Sequence, residues 1–211
     1  MTIEKTPEEL AIPGQRTASL ERRTGETHVS VTVNLDGQGS YDVDTGNGFL
    51  DHMISQLARH GLFDIKLHAK GDTHVGWHHL VEDSAIMLGR AFRQALGDAR
   101  GIRRMGHAIV PLDDVLALVA VDCSGRGYAV IETGLDEVMV ETLSGDLVRH
   151  LLESFAIEGQ MNLHTRVLAG YSPHHKAEAL FKALARALRD AVEPDPRGGQ
   201  QVPSTKGTIT G

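Results

Sequence analysis

His78-His79-Leu80-Val81-Glu82 and His174-His175-Lys176-Ala177-Glu178 are one His-His-x-x-Glu word written twice in the same chain. On a helix, the first His and the Glu of each word stand four residues apart and project from one face, so each pair can hold one ion. The adjacent histidines, His79 and His175, point about 100° away around the helix axis and are expected to serve a second site. Two such helices facing one another would enclose two metals of mixed ownership.

Outward from these words, the order of elements repeats. Thr27 to Leu35 alternates apolar and polar residues over a strand's length, Asp36-Gly37-Gln38-Gly39 reads as a hairpin turn, and Ser40 to Thr45 as the returning strand. Phe49 to His60 has helical spacing and is expected to end on Gly61 as a left-handed cap. Leu62 to Ala69 reads as a strand, and His78 to Leu96 as a long helix closed by Gly97. The second half follows suit. Val115 to Ser124 is a strand, Gly125-Arg126-Gly127 a tight turn, Tyr128 to Thr133 a returning strand and Gly145 to Glu158 a helix. Met161 to Leu168 is a strand, and Ser172-Pro173 supplies an N-cap and first-turn proline for a helix from His174 to Val192.

Single positions pair as well: His52 with His150, His60-Gly61 with Glu158-Gly159, and the two His-His-x-x-Glu words with each other. The fold expected is α+β, an internal duplication of a β-β-α-β-α unit, each half a sheet covered on one side by two helices. Residues 1–25 are expected to form a flexible arm and 26–193 a catalytic domain of two repeats, 26–100 and 107–193. Residues 194–211 form a tail rich in Gly, Pro, Ser and Thr.

Composition narrows the chemistry. A net charge of −7 argues against nucleic-acid and membrane-surface binding, which both need surplus Lys and Arg. With Cys123 as the single cysteine, neither a disulfide framework nor a thiolate zinc site is available, and a buried thiol in a cytoplasmic protein is expected. No apolar run reaches membrane-spanning length, and the N-terminus lacks the basic-then-apolar order of a signal peptide. The 12 histidines are the excess that asks for a reason. His28, His68, His107 and His164 read as ordinary half-exposed residues, and His60 and His74 as neighbours of the site. The metal candidates are His52, His78, His79, Glu82, His150, His174, His175 and Glu178, which divide into two sets of three nitrogens and one oxygen. Such sets leave positions open for a substrate and fit Mn, Fe, Co, Ni or Zn. Arg104, Arg126, Lys182, Ser204 and Lys206 are expected to make a phosphate pocket over which the tail folds.

The chain resembles the imidazoleglycerol-phosphate dehydratase family in several stretches. They are Phe49-Leu50-Asp51-His52-Met53, His60 to Asp64, Gly71-Asp72-x-His74-x-x-x-His78-His79-x-x-Glu82-Asp83, Ser124-Gly125-Arg126, the second His-His word and Pro203-Ser204-x-Lys206-Gly207. The likeness runs from Glu26 to Gly207. It implies a hydro-lyase of histidine biosynthesis that dehydrates D-erythro-imidazole glycerol phosphate to imidazole acetol phosphate. It also implies two manganese ions per site and a cytoplasmic homo-oligomer of twenty-four subunits in octahedral symmetry, with sites shared between subunits. No phosphatase domain accompanies the motifs, so a monofunctional enzyme is expected. All eight metal candidates are implied as ligands, Glu26 and Gln56 as substrate contacts, and Arg104, Arg126, Lys182, Ser204 and Lys206 as phosphate contacts.

The hydrogen to be lost lies on a carbon with no adjacent carbonyl, where simple general-base removal faces too high a barrier. Metals on both imidazole nitrogens would favour an imidazolate that expels the hydroxyl through a diazafulvene-like intermediate, with Glu26 handling protons beside His78, His79, His174 and His175. Two readings from other classes compete: a dinuclear phosphate-ester hydrolase, which would release inorganic phosphate, and a metal store or sensor, which would not need the basic contacts.

Overall fold

The computed structural model describes residues 16–209. Its elements are β1 (Thr17–Arg23), β2 (Thr27–Asn34), β3 (Tyr41–Asp44), α1 (Gly48–Gly61), β4 (Asp64–Gly71), α2 (His78–Leu96), β5 (Met105–Leu112), β6 (Val115–Asp122) and β7 (Tyr128–Glu132). They continue with β8 (Met139–Val140), β9 (Leu143–Ser144), α3 (Gly145–Glu158), β10 (Asn162–Ala169) and α4 (Pro173–Val192). Two four-stranded sheets have matching orders, β1-β2-β4-β3 and β5-β6-β10-β7, and each is covered on one side by two helices. This is the duplicated α+β architecture read from the sequence.

Each four-stranded sheet has one strand more than expected, and the second half adds the short pair β8–β9. β1 lies in the stretch read as a flexible arm, and β5 precedes the first strand read in the second half. Both are outermost strands paired antiparallel to the next, and only one face of each meets the core: Ala18 and Leu20 point inward while Ser19, Glu21 and Arg23 point out. The expected hairpins at Asp36–Gly39 and Gly125–Gly127 do not form. β3 and β7 each run parallel to β4 and β10, which insert between them and their sequence neighbours. The true hairpin of the first half joins β1 to β2 through a turn in which the Thr24 hydroxyl accepts from the N–H groups of Glu26 and Thr27, 3.1 and 2.9 Å.

Helix ends follow local chemistry. Asn47 caps α1, its side-chain oxygen accepting from Phe49 and Leu50 N–H, and Ser172 caps α4 with Pro173 in the first turn. The left-handed residue after α1 is Leu62 rather than Gly61. Gly61 is instead pressed against the Phe63 ring, which a Cβ would meet at 2.4 Å.

The helices pair across the duplication, α1 with α4 and α2 with α3, giving layers of sheet, helices, helices and sheet. Facing of the two long helices, expected from the paired words, is not what occurs. Gly89 allows the α2–α3 approach, since a Cβ there would stand 2.6 Å from the Phe155 carbonyl oxygen. Phe92 then contacts Phe63 and Phe155 edge to face at 5.5 and 5.8 Å between centroids, tying both halves into one core.

Candidate metal centre

Cross-pairing decides which ligands meet. Where α1 lies on α4, His52, His174 and Glu178 gather; where α2 lies on α3, His78, Glu82 and His150 do. Within each group one donor atom per residue falls within 4.8 Å of the others, so each fits a single ion, and each draws from both halves. In the first, Glu178 Oε2 stands 3.2 Å from His174 Nε2 and 3.5 Å from His52 Nε2. In the second, Glu82 Oε1 is 3.2 Å from His150 Nε2, and the His78 and His150 rings stack at 5.0 Å. Two imidazole nitrogens and one carboxylate suit a first-row divalent ion and leave coordination positions open.

His79 and His175 belong to neither group among the described residues. Their rings stand nearly perpendicular to those of His78 and His174. His79 Nδ1 lies 3.1 Å from Asp72 Oδ2, and His175 Nδ1 lies 2.7 Å from Asp114 Oδ1. These hydrogen bonds raise the pKa of both histidines. A proton held on Nδ1 by an aspartate leaves Nε2 as the donor to a metal. Sequence reasoning did not assign Asp72 or Asp114; the Asp seven residues ahead of His79 was a usable signal, whereas Asp114 reaches His175 from a distant turn.

Around the groups, Gln56 bridges two histidines, with its Nε2 3.3 Å from His52 Nε2 and its Oε1 2.9 Å from His60 Nε2. Burial lowers the His60 pKa, and the charges of Lys182 and Arg186 lower it further. Lys182 Nζ is 2.7 Å from Glu178 Oε1. Burial pushes the Glu178 carboxyl up, but Lys182 and His52 outweigh it and hold the pKa below its ordinary value. Glu26, from the β1–β2 turn, approaches His79 Nδ1 to 3.9 Å without a hydrogen bond, and Glu141 Oε1 lies 3.1 Å from His174 Nδ1. His74 is exposed in a short 3-10 turn, Thr73–Val75.

The basic residues divide between two cavities. Arg104, Ser124, Arg126, Ser204 and Lys206 line one of about 800 Å³, with Gln201 to Thr205 of the tail forming its wall. Lys182 is not among them; it lines a separate groove with His60, His107 and Arg186, so the expected set of five does not assemble within one chain. Arg104 is committed to Asp122 through two bonds, 2.7 and 3.0 Å, and also donates to the Pro203 carbonyl, anchoring the tail. The side chains of Arg126 and Lys206 have no ion-pair partner among the described residues, and their cationic groups are the ones available to an anion. Gly125 seats the tail: a Cβ there would overlap the Ile209 carbonyl oxygen.

A duplicated α+β sandwich with twin His-His-Glu groups where its halves meet and a basic cavity is the frame of a candidate metal-dependent enzyme. The chain belongs to the imidazoleglycerol-phosphate dehydratase family, hydro-lyases of histidine biosynthesis, whose model matches residues 45–188. The enzyme of that name from Roseiflexus sp. (strain RS-1) is 57% identical over 194 residues, 92% of this chain and 98% of that protein. Its counterpart from Dehalococcoides mccartyi (strain CBDB1) is 56% identical over 195 residues, again 92% and 98%. Among solved structures, the Staphylococcus aureus dehydratase superposes with a TM-score of 0.76 at 30% identity, covering 85% of this chain and 99% of that one. IGPD from Pyrococcus furiosus, in complex with (S)-C348, gives 0.77 at 33% identity, covering 90% and 99%. No described helix is long and apolar enough to cross a membrane.

Proposed function

We propose that this chain dehydrates D-erythro-imidazole glycerol phosphate to imidazole acetol phosphate in a metal-dependent reaction, within a cytoplasmic homo-oligomer whose sites are shared between copies. The carrying observation is the pair of groups, His52/His174/Glu178 and His78/Glu82/His150, together with the opposite outlook of His79 and His175. Each group offers two nitrogens and one oxygen. The remaining histidines face elsewhere, so a full set of three nitrogens and one oxygen per ion requires His79 or His175 from another copy.

Manganese is the ion we assign, two per site, where it would supply Lewis acidity toward the substrate's imidazole nitrogens. The chain's own residues do the rest. His78, His79, His174 and His175 hold the ions and set the ring's orientation, with Asp72 and Asp114 fixing which histidine nitrogen is offered. Glu26, exposed beside His79, moves the proton from carbon and delivers one to the departing hydroxyl. Gln56, on the α1 face between His52 and His60, contacts the substrate. Arg126, Lys206 and Ser204 bind the phosphate, with Arg104 holding the tail in place and residues 194–211 closing the cavity against water. Lys182 lies beside Glu178, and a site shared between copies is the arrangement in which it and the Arg126 cavity serve one substrate. The catalytic domain is then 26–193 together with the edge strand β1, organised as the repeats 26–100 and 107–193.

The test is ketone formation from imidazole glycerol phosphate by purified protein, after chelation and after adding back manganese. Activity lost and regained with no inorganic phosphate released supports the assignment. Phosphate release would favour the hydrolase reading, and metal binding without turnover the store or sensor.

A further inference from the structure

Asp83 follows Glu82 in α2 and is turned about 100° from it around the helix axis, toward β1 and β2 rather than toward the metal groups. Its carboxylate is buried and both oxygens are committed: Oδ1 accepts from the Arg22 guanidinium on β1, and Oδ2 from the Thr27 hydroxyl at the start of β2. Glu26 lies in the turn between these two holds, and its own backbone is fixed as well. Its N–H donates to the Thr24 hydroxyl at 3.1 Å, and its carbonyl accepts from Asp72 N–H at 3.1 Å. Asp72 is the aspartate on His79. The turn that carries Glu26 is thus fastened to the helix that carries His78, His79 and Glu82.

The second half builds the same corner without polar groups. Asn34 pairs with Asp64 and Asp122 with Asn162, at the starts of β4 and β10, so Thr27 corresponds to Val115 and Glu26 to Asp114. Arg22 faces Val29 as Val110 faces Ala117, and the two His-His-x-x-Glu words align Asp83 with Ala179. Val115 and Ala179 are buried, and Val110 packs against the core. Apolar side chains alone therefore close this corner of the duplicated fold. A buried ion pair adds a solvation cost that apolar residues of similar volume avoid, so the polar set calls for a reason other than stability. The carboxylates of the two turns supply it. Asp114 is held by its own hydrogen bond to His175, whereas the Glu26 side chain has no such bond and depends on how its backbone is held.

We propose that Asp83 is a positioning residue for Glu26: by gripping Arg22 and Thr27 together it locks the β1–β2 turn against α2 and sets where the Glu26 carboxylate stands beside His79. This rests on the dehydratase reading above, in which Glu26 handles the substrate's protons. Asp83 touches no substrate, and its effect falls on turnover rather than on metal or substrate binding.

The test writes the second half's residues into the first, as Arg22→Val/Thr27→Val/Asp83→Ala in the full chain with manganese. Thermal stability, metal content and KM are expected to stay close to wild type, while kcat falls about 10²-fold. Amide hydrogen exchange at Glu26 and Thr27 should become about tenfold faster, the opening of the turn being easier once the bonds to the carboxylate are gone. Two single variants separate the hydroxyl from the shape of the side chain. Thr27→Val should lower kcat about tenfold and Thr27→Ser should retain it; a packing role alone would give the reverse order. If the triple variant does not fold, the Thr27 pair decides. A kcat within a few-fold of wild type in Thr27→Val, or exchange at the turn as slow as in wild type, overturns the proposal. Wild-type protein without ketone formation would refute the dehydratase reading instead, and exchange at the turn would still report whether Asp83 holds it.

Discussion

His79 and His175 occupy equivalent places in the two halves, and each has an aspartate on Nδ1, yet the aspartates come from different elements. Asp114 reaches His175 from the β5–β6 turn. In the first half the corresponding turn, between β1 and β2, carries Glu26, which stops 3.9 Å short of His79, and the orienting bond comes from Asp72 at the end of β4. Orientation of the histidine is thus kept in both halves while one hairpin carboxylate is released from that duty. The released carboxylate is Glu26, exposed and without a hydrogen bond to an imidazole, the residue proposed above to handle the substrate's protons. A second asymmetry lies at the glutamates. Glu178 is backed by Lys182 one turn along α4, whereas the residue one turn beyond Glu82 is Ile86.

The sharpest way to break this comparison is to remove, separately, Glu26 and Asp113, the carboxylate of the second hairpin that is not hydrogen-bonded to His175. Glu26→Gln is expected to lower kcat by about 10²–10⁴ with metal affinity little changed. Asp113→Asn, in the second hairpin and 3.6 Å from His175, should leave kcat within a few-fold. Equal losses in kcat would mean that the halves are not specialised. Smaller effects are expected where the halves are alike: Asp72→Asn and Asp114→Asn should each weaken metal binding about 10–100-fold, read by titration calorimetry above pH 7. The sign with pH follows, since ligand nitrogens must be unprotonated: affinity falls as pH drops through the histidine range, and the raised pKa of His79 and His175 starts that fall at higher pH.

At the glutamates, Lys182→Met removes the cation competing for Glu178. The group with His52 should then bind an ion about fivefold more tightly, consistent with roughly 1 kcal/mol for a side-chain ion pair, while KM for the phosphorylated substrate rises. No change in either quantity would remove Lys182 from both roles. The smallest effect concerns Cys123, whose thiol burial pushes up to about 12. It should resist thiol reagents at pH 8 in folded protein and react on unfolding.

The sequence made the duplication legible because ligand words keep helical spacing, and because β2, β6 and the core faces of the helices alternate cleanly. β1 and β5 escaped notice for a physical reason. An outermost strand pairs on one side only, so Thr17–Arg23 tolerates polar residues, and Met105–Leu112 carries Gly106 and Pro111 without a strong alternation. The false hairpins arose because glycine-rich turns signal a reversal but not which strand receives the returning chain. Eight candidate ligands could be read from two words and two shorter helices, but their division could not. It depends on α1 meeting α4 and α2 meeting α3, the latter contact admitted by Gly89 and the Phe92–Phe155 ring pair, rather than on any spacing along one helix. Asp114 was invisible for the same reason: its partner lies in the fold, not nearby in the chain.

The most direct measurement is metal content per chain, by plasma emission spectroscopy, for wild type, His52→Ala and His150→Ala after dialysis against limiting manganese. Wild type is expected to retain two ions per chain and each variant one, because the two groups share no residue. If either variant lost both ions or kept both, the division into two groups built across the halves would be wrong.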